Sequence, residues 1–419
     1  SSIHHFLPAR GRNCIAAFNA VSHTLSLMGA LSLQRLILVC RAARSFALGV
    51  LGVALPLALE GHAVGTMGMN MLLSAGLAGA TAQMQLVMFW SRRLGRCGAL
   101  ALFTGGMAVA AGAVAWVRSL AVLTAACFLG ALSVQPNISV QAPIEHATLA
   151  DSTAQGPERS SAFAWYNGVS TIALAAGAFA TGIPVPGGPD AQIAATAALL
   201  LAAAVAYFSF TPPEAPMTKE PLLSKPDLGL AQCSHRSRIV ALAALFAVDA
   251  FAGGMALSSV LTYWLSTTYA VPEATLGTLF GISSVITTPS LWVAVWLGER
   301  IGLINTMVFT HLPSNVCLIL MPFAPNVSVV YGLLLVRAAL GQMDVPARES
   351  FMMSVVDDDE RMACSSIITT GRALASVLGP PACAVLWEAC SPAVPLVVAG
   401  SLKCVYDLTL LLTFRAVRA

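Results

Sequence analysis

Long uninterrupted apolar segments dominate this sequence of 419 residues, and they restrict the folds open to it more than any other feature. Hydrophobic residues make up 57% of the chain and charged residues only 10%, against roughly 25% charged residues in an average soluble domain. A soluble core cannot bury this much apolar sequence, whereas a segment of about 20 apolar residues is long enough to cross a bilayer. The sequence therefore predicts an all-α integral membrane protein.

Charged residues, prolines and glycines divide the apolar sequence into candidate transmembrane spans. We place twelve of them, at about 35–59, 64–90, 97–117, 119–143, 161–183, 190–210, 237–268, 274–297, 303–323, 327–345, 364–388 and 392–414. A proline-rich polar stretch separates the first six spans from the last six. The predicted domains are a basic tail (1–34), an amino-terminal six-helix bundle (35–210), a cytoplasmic linker (211–236) and a carboxy-terminal six-helix bundle (237–415).

The distribution of basic residues predicts the orientation. Most of the 22 lysines and arginines fall in the even-numbered loops and the two terminal segments, whereas Arg118 lies in an odd-numbered loop. Because basic loops stay in the cytoplasm, we expect both termini there. Residues 1–59 contain no acidic residue, which fits either a basic cytoplasmic tail or a transit peptide. We expect the plasma membrane, with an organelle envelope as the alternative.

Three short correspondences indicate that the two halves are related by duplication. The first span contains Arg44 to Gly49, and the seventh contains the similar Asp249 to Gly254. The loops after the second span of each half also match: Arg93-Leu-Gly-Arg96 corresponds to Glu299-Arg300-Ile-Gly302. The third match is a glutamate followed downstream by Glu-Arg, which is Glu145 with Glu158-Arg159 in the first half and Glu349 with Glu360-Arg361 in the second. Transporters are often built from such parallel repeats, with the binding site between the halves.

With these motifs the chain resembles a major facilitator superfamily transporter over about residues 35–415. The family loop motif Gly-x-x-x-Asp-Arg-x-Gly-Arg is present here as Arg93-x-Gly95-Arg96, but Arg92 replaces the acid. Two further stretches, Asp344 to Glu349 and Phe163 to Asn167, resemble a poorly characterised multidrug-efflux-like branch. The resemblance implies two pseudo-symmetric six-helix bundles that alternate access to a central site. It also implies a cytoplasmic gate, with the candidates Arg93, Gly95, Arg96, Glu145, Glu299, Arg300, Asp344 and Glu349.

Arg337 is the most unusual charge inside the predicted spans. It lies about ten residues into the tenth span, or about 15 Å at 1.5 Å per residue, close to the bilayer midplane. An arginine there costs about 2.5–3.5 kcal/mol on insertion scales, so we expect it to face the central cavity. We predict either a substrate contact or a fixed ion pair. The equivalent position in the first half is Ser133, which shows that the repeat does not impose the charge.

Other polar residues in the spans are weaker candidates. Arg44 and Asp249 occupy equivalent positions and are predicted to pair across the two halves in one state and to separate in another, with Asp249 either a coupling carboxylate or a structural one. Arg372 is predicted to neutralise Asp344 or Glu349. Lys403 and Asp407, four residues apart, are predicted to pair at the outer wall. Further predictions are that Arg41 reaches the membrane surface, that His311 is interfacial, and that Asn137 and Asn167 either line the cavity or form hydrogen bonds between helices.

We expect a secondary active transporter that moves a small organic solute, by proton-coupled efflux or exchange. The alternatives are a uniporter or uptake carrier for a small metabolite and a non-transporting membrane receptor. The sequence has no nucleotide-binding loop, nucleophile motif or metal-ligand spacing, so we expect neither an enzyme nor a cofactor. The expected partners are the solute, protons and the lipid bilayer, with no nucleic acid, and we expect a monomer.

Overall fold

The computed structural model describes residues 33–133, 139–151, 157–210, 234–356 and 360–414, and these residues form helices without any β-strand. The first half comprises α1 (Leu33–Gly61), α2 (Thr66–Trp116), α3 (Leu120–Leu129), α4 (Ala142–Asp151), α5 (Pro157–Ala180) and α6 (Gly188–Ser209). The second half comprises α7 (Arg236–Met255), α8 (Ser258–Tyr269), α9 (Glu273–Ile301), α10 (Leu303–Leu320), α11 (Val327–Leu340), α12 (Asp344–Ser354), α13 (Arg361–Ala389) and α14 (Val394–Phe414).

These helices can be assigned to the twelve predicted spans in order. Eight segments of the described chain are long and apolar enough to cross a membrane by themselves. The long helix α2 contains the second and third spans, separated by a kink at Gly95. Three other spans each consist of two consecutive helices: α3 with α4, α7 with α8, and α11 with α12. The all-helical membrane fold predicted from the sequence is confirmed.

The fourth and tenth spans extend further than predicted. Helices α4 and α12 continue to Asp151 and Ser354, into segments that the sequence analysis treated as loops. Pro143 and Pro346 lie in the first turns of these helices, where proline is tolerated because it removes no helical hydrogen bond. The two prolines therefore mark the start of a second short helix rather than the end of the span.

The duplication is visible in the helix packing. A Cβ atom on Gly49 would lie 2.1 Å from the carbonyl oxygen of Leu174, so that α1 approaches α5 with no room for a larger residue. At the equivalent position, a Cβ atom on Gly254 would lie 2.5 Å from the carbonyl oxygen of Ser376, where α7 meets α13. Small residues at such crossings allow two backbones to pack closely. The two glycines thus perform the same function in the two halves.

The two halves contact each other at the end of the bundle remote from Leu33 and Phe414. Ser74 Oγ donates to the carbonyl oxygen of Val377 at 2.7 Å, which joins α2 to α13. Ser266 Oγ donates to Glu60 at 2.6 Å, and α5 packs against α9 near Gly277. This end, called here the remote end, is closed.

Candidate functional site

A cavity of about 320 Å³ lies between the two halves, on the side of the closure that is nearer the described termini. The first half contributes side chains from α1, α4 and α5, and the second half contributes side chains from α7, α12 and α13. The shorter helices of the two broken spans, α4 and α12, therefore form part of its wall. The polar lining includes Arg41, His146, Tyr166, Asn167, Arg348, Glu349, Thr369 and Arg372.

Arg44 and Glu145 form a buried ion pair behind the wall of the first half. The two guanidinium NH groups of Arg44 donate to the two carboxylate oxygens at 2.8 and 2.7 Å, and both side chains are almost completely buried. Tyr166 and Tyr207 donate their hydroxyls to the same carboxylate at 2.6 and 3.0 Å. The predicted pair of Arg44 with Asp249 is not formed in this structure, because each of the two side chains has partners in its own half. Glu145 lies inside the bundle rather than in a loop, because α4 extends across its position.

Arg41 lies one helical turn from Arg44 and faces the cavity. Its guanidinium carbon is 4.8 Å from the centre of the Tyr166 ring, a geometry that favours a cation–π contact. Among the described residues, no carboxylate lies within 4 Å of Arg41, and its Nε has no hydrogen-bond partner. The side chain is only 8% exposed, so the expectation that it reaches the membrane surface is corrected.

Asp249 is the centre of a second ion cluster, in the other half. Its Oδ1 contacts the ammonium of Lys403, and its Oδ2 lies 3.5 Å from Arg372 and 3.8 Å from Arg348. Arg348 also forms a 2.7 Å ion pair with Asp344, four residues earlier on α12. Because Arg348 and Arg372 line the cavity, the buried carboxylate of Asp249 lies directly behind two cationic side chains of the wall.

The same cluster extends to His311 on α10 and Asp407 on α14. His311 Nδ1 lies 2.9 Å from Asp407 Oδ1, and Asn315 donates to Asp407 Oδ2 at 2.9 Å. The predicted pair of Lys403 with Asp407 is not formed, because Lys403 turns to Asp249. His311 is buried, not interfacial. The sequence does contain a signal for this buried cluster: His311 and Asn315 are two polar residues on one face of an apolar helix.

The remaining substrate candidates have different positions. Asn167 lines the cavity, and Asn137 lies outside the described residues. Arg372 contacts Asp249, whereas its predicted partners were Asp344 and Glu349. Arg337 is absent from the described lining of the cavity, since α12 rather than α11 forms that part of the wall. Its Nε has no hydrogen-bond partner among the described residues.

The gate candidates include two loops that repeat one local geometry. Arg93 stacks 4.7 Å from the ring centre of Phe89, and Arg300 stacks 4.2 Å from that of Trp296, four residues earlier in each case. Two residues further along the chain, Gly95 and Gly302 have φ values of 71° and 85°, which glycine adopts without strain. Glu299 is exposed and Arg96 is half-buried beside these glycines. Of the other gate candidates, Asp344 is buried and Glu349 lines the cavity.

The chain matches the family model of the Major Facilitator Superfamily over residues 37–386. It belongs to the major facilitator superfamily. The fold agrees with solved members of the superfamily: a mutant of the nucleoside transporter NupG superposes with a TM-score of 0.75 at 13% identity, covering 91% of this chain and all of that one. A D-xylose-proton symporter gives 0.69 at 12% identity and covers 90% of this chain and 96% of that one.

Two further proteins are similar to this major facilitator chain. A bacterial homologue of the iron transporter ferroportin, in an inward-facing state, gives a TM-score of 0.67 at 16% identity, with 91% of this chain and 99% of that one covered. The uncharacterized membrane protein YJR124C of Saccharomyces cerevisiae is 24% identical over 184 residues. That match spans 44% of this chain and 41% of the yeast protein, so less than half of either is aligned.

Proposed function

We propose that this member of the superfamily is a secondary active transporter that moves a small, negatively charged organic solute by alternating access, coupled to protons. The observation that carries the proposal is a polar cavity between two halves whose described residues are in contact beyond it, toward the remote end. With the termini in the cytoplasm, this arrangement is the inward-facing state. Efflux or exchange as the direction of transport stays a prediction from the family resemblance.

The charge of the cavity wall supports an anionic solute. Three arginines line it, Arg41, Arg348 and Arg372, against one carboxylate, Glu349. Arg41 has no acidic partner within 4 Å among the described residues, and Arg372 is 3.5 Å from its acidic partner. Guanidinium groups bind carboxylates through paired hydrogen bonds, and such contacts are stronger where water is scarce. A carboxylate placed between the two halves would contact arginines from both.

The size and the apolar lining of the cavity limit the solute further. A volume of about 320 Å³ lies at the lower end of the range typical of small-molecule sites. Phe246, Met352 and Ile368 provide an apolar wall beside Arg348 and Arg372. This combination fits a small organic acid with an apolar body better than a sugar, which would need many hydroxyl partners.

The proposal is tested by solute flux into proteoliposomes, with a panel of radiolabelled organic acids and with and without a pH gradient. We expect flux that responds to the gradient, and a decrease of about tenfold to a hundredfold in Arg41→Gln and Arg372→Gln, which is the effect of losing one charged hydrogen bond. Arg238→Gln, an exposed arginine at the start of α7, is the control and should retain wild-type flux. Absence of flux for every solute tested would favour a non-transporting receptor instead.

Two earlier predictions are tested in the same assay. Flux that ignores the pH gradient and survives Asp249→Asn would remove proton coupling from the proposal. Wild-type flux in Arg337→Ala would show that this arginine does not contact the substrate, in agreement with its position outside the described cavity wall.

A further inference from the structure

His311 lies between two buried carboxylates. Its Nδ1 is 2.9 Å from Asp407 Oδ1, and its Nε2 is 3.9 Å from Asp249 Oδ1. A carboxylate can only accept a hydrogen bond, so neutral His311 carries its proton on Nδ1 and presents an unprotonated Nε2 toward Asp249. A second proton on Nε2 would therefore be placed beside a negatively charged oxygen.

The two oxygens of Asp249 face different groups. Oδ1 faces the interior of the second half, where Lys403 and His311 lie. Oδ2 faces Arg372 and Arg348, which line the cavity. Asp249 thus lies between a buried histidine and the two cavity arginines of its half. A charge added at His311 therefore changes the electrostatic attraction between Asp249 and these arginines.

Within the ion-paired cluster the formal charges balance while His311 is neutral, and the cavity carboxylate Glu349 lies outside these ion pairs. The acidic members Asp249, Asp344 and Asp407 equal in number the basic members Arg348, Arg372 and Lys403. Protonation of His311 adds one positive charge to a buried region. That charge is compensated most directly by an anion at the cavity surface, where Arg372 is 27% exposed.

We infer that His311 takes up the coupling proton, and that this protonation strengthens the binding of a solute carboxylate to Arg372 and Arg348. The inference rests on the proposed function, because it names the proton site of the same transporter. Proton and anion then bind together, one of each, which favours their transport in the same direction over exchange. Binding is reciprocal: the anion increases the proton affinity of His311 by the same factor as the proton increases the affinity for the anion.

The surroundings of His311 are consistent with a site that changes its charge. From α14 it faces Asp407, Lys403 and the ring of Tyr406, whose centre is 6.1 Å away. From α7 it faces Asp249, and on its own helix it is next to Asn315. The hydroxyl of Tyr406 has no hydrogen-bond partner among the described residues. Two carboxylates, those of Asp407 and Asp249, lie within 4 Å of the ring nitrogens, and a carboxylate stabilises a histidinium ion.

The experiment measures carboxylate binding and proton uptake together, using purified protein in detergent with acetate, lactate and benzoate as probes. In a weakly buffered solution containing a pH indicator, the wild type should take up about one proton for each carboxylate bound. Its apparent affinity for the probe should fall with rising pH, by up to about tenfold per pH unit, as expected when one proton and one ligand bind together. His311→Gln should bind the probe with an affinity that does not change with pH and without proton uptake.

Two variants serve as references. His62→Gln removes the histidine of another His–Asp pair, between His62 and Asp190 at the remote end, and should keep the wild-type pH dependence. Asp407→Asn leaves His311 in place with one fewer carboxylate, so its proton uptake should shift to lower pH. It provides an independent test should His311→Gln not fold, which size-exclusion chromatography would show.

Proton uptake that persists in His311→Gln, or wild-type binding without proton uptake, would overturn the inference. Flux measurements separate this failure from that of the proposed function. If flux in proteoliposomes responds to the pH gradient equally in the wild type and in His311→Gln, proton coupling remains and only its assignment to His311 is lost. If the wild type shows no flux at all, the proposed transport function fails whatever the binding experiment gives.

Discussion

Individual buried charges of this protein differ in how completely they are compensated. The carboxylate of Glu145 accepts four hydrogen bonds, two of them from Arg44. Arg41, one turn away, contacts the ring of Tyr166 and has no carboxylate within 4 Å among the described residues. An ion pair whose hydrogen bonds are all made has little remaining ability to bind a ligand. A cation that faces a cavity without a carboxylate partner can still bind one. At the residue scale, Arg44 and Glu145 therefore stabilise the first half, and Arg41 is available for a solute.

Glu145→Gln should destabilise the protein by about 3–5 kcal/mol, because it leaves the buried guanidinium of Arg44 without its counter-charge. The measurement is thermal unfolding in detergent, followed by tryptophan fluorescence. Arg44→Gln and the double variant complete a mutant cycle. A coupling energy near zero between the two positions would contradict a stabilising pair.

Glu360 forms a second testable contact, outside the membrane spans. Burial raises the pKa of its carboxyl, but hydrogen bonds from the His235 ring and from the backbone amides of Ser234 and His235 outweigh burial and lower it. The ionised carboxylate therefore stabilises the folded protein at pH values above the ordinary glutamate pKa of about 4.3, and this contribution is lost as the pH falls below it.

Glu360→Gln should accordingly lower the melting temperature at pH 7, and the difference from the wild type should shrink as the pH falls below about 4. The measurement is the melting temperature across this pH range. Glu299→Gln, which removes an exposed carboxyl, serves as the reference and should have little effect at any pH. A difference for Glu360→Gln that grows toward acidic pH would show that the carboxylate is not the stabilising form.

At the scale of elements, the broken spans determine where the site can form. Helices α3 and α4, and likewise α11 and α12, interrupt spans that the sequence presents as continuous. Discontinuous helices bring polar side chains and free backbone groups to the middle of a membrane protein. The interruptions allow α4 and α12 to carry His146, Arg348 and Glu349 into the cavity wall.

Gly277 on α9 provides the element-scale prediction. A Cβ atom there would lie 2.2 Å from Thr181 Oγ1 and 2.7 Å from the carbonyl oxygen of Ala178, both on the neighbouring half. Gly277→Ala should therefore weaken the closure of the remote end and increase the population open at that end. Gly332→Ala is the matched control, since a Cβ atom there meets nothing within 4 Å.

The measurement is pulsed electron paramagnetic resonance between spin labels on Ile183→Cys and Thr268→Cys. The background replaces with serine the exposed Cys390 and also Cys14 and Cys233, which lie outside the described residues. We expect a larger fraction of long distances in Gly277→Ala than in Gly332→Ala. Identical distance distributions for the two variants would show that the close approach at Gly277 does not hold the remote end closed.

At the scale of the whole molecule, the described residues of the two halves enclose a cavity and are in contact at the remote end. Alternating access requires that the contacts at the remote end break while equivalent contacts form at the other end. Ser74 and Val377 lie at this contact, with 2.7 Å between the hydroxyl and the carbonyl oxygen.

Linking Ser74→Cys to Val377→Cys with a short bifunctional thiol reagent should arrest flux by preventing the remote end from opening. A cleavable linker should restore flux on reduction, and each single cysteine variant treated with the same reagent is the control. Undiminished flux in the fully linked protein, assayed in proteoliposomes, would rule out rocking of the halves about the cavity.

The sequence by itself determined the class of fold, because apolar length and charge placement are local properties that a membrane selects directly. It also determined the repeat, since Gly49 and Gly254, and Arg93 and Arg300, keep equivalent geometry in the two halves. The helix breaks were not foreseen, because Pro143 and Pro346 are compatible both with the end of one helix and with the start of the next.

Only the tertiary structure decided which charges meet. Arg44 and Asp249 are equivalent in the repeat, yet their partners are Glu145 in one half and Lys403 with Arg372 in the other. Lys403 and Asp407 are neighbours on one helix but point to different partners, and Arg337 near the midplane is not among the residues of the described cavity wall. A buried charge is stabilised by whichever opposite charge the packing of distant helices places within a few ångströms, and spacing along the chain does not contain that information.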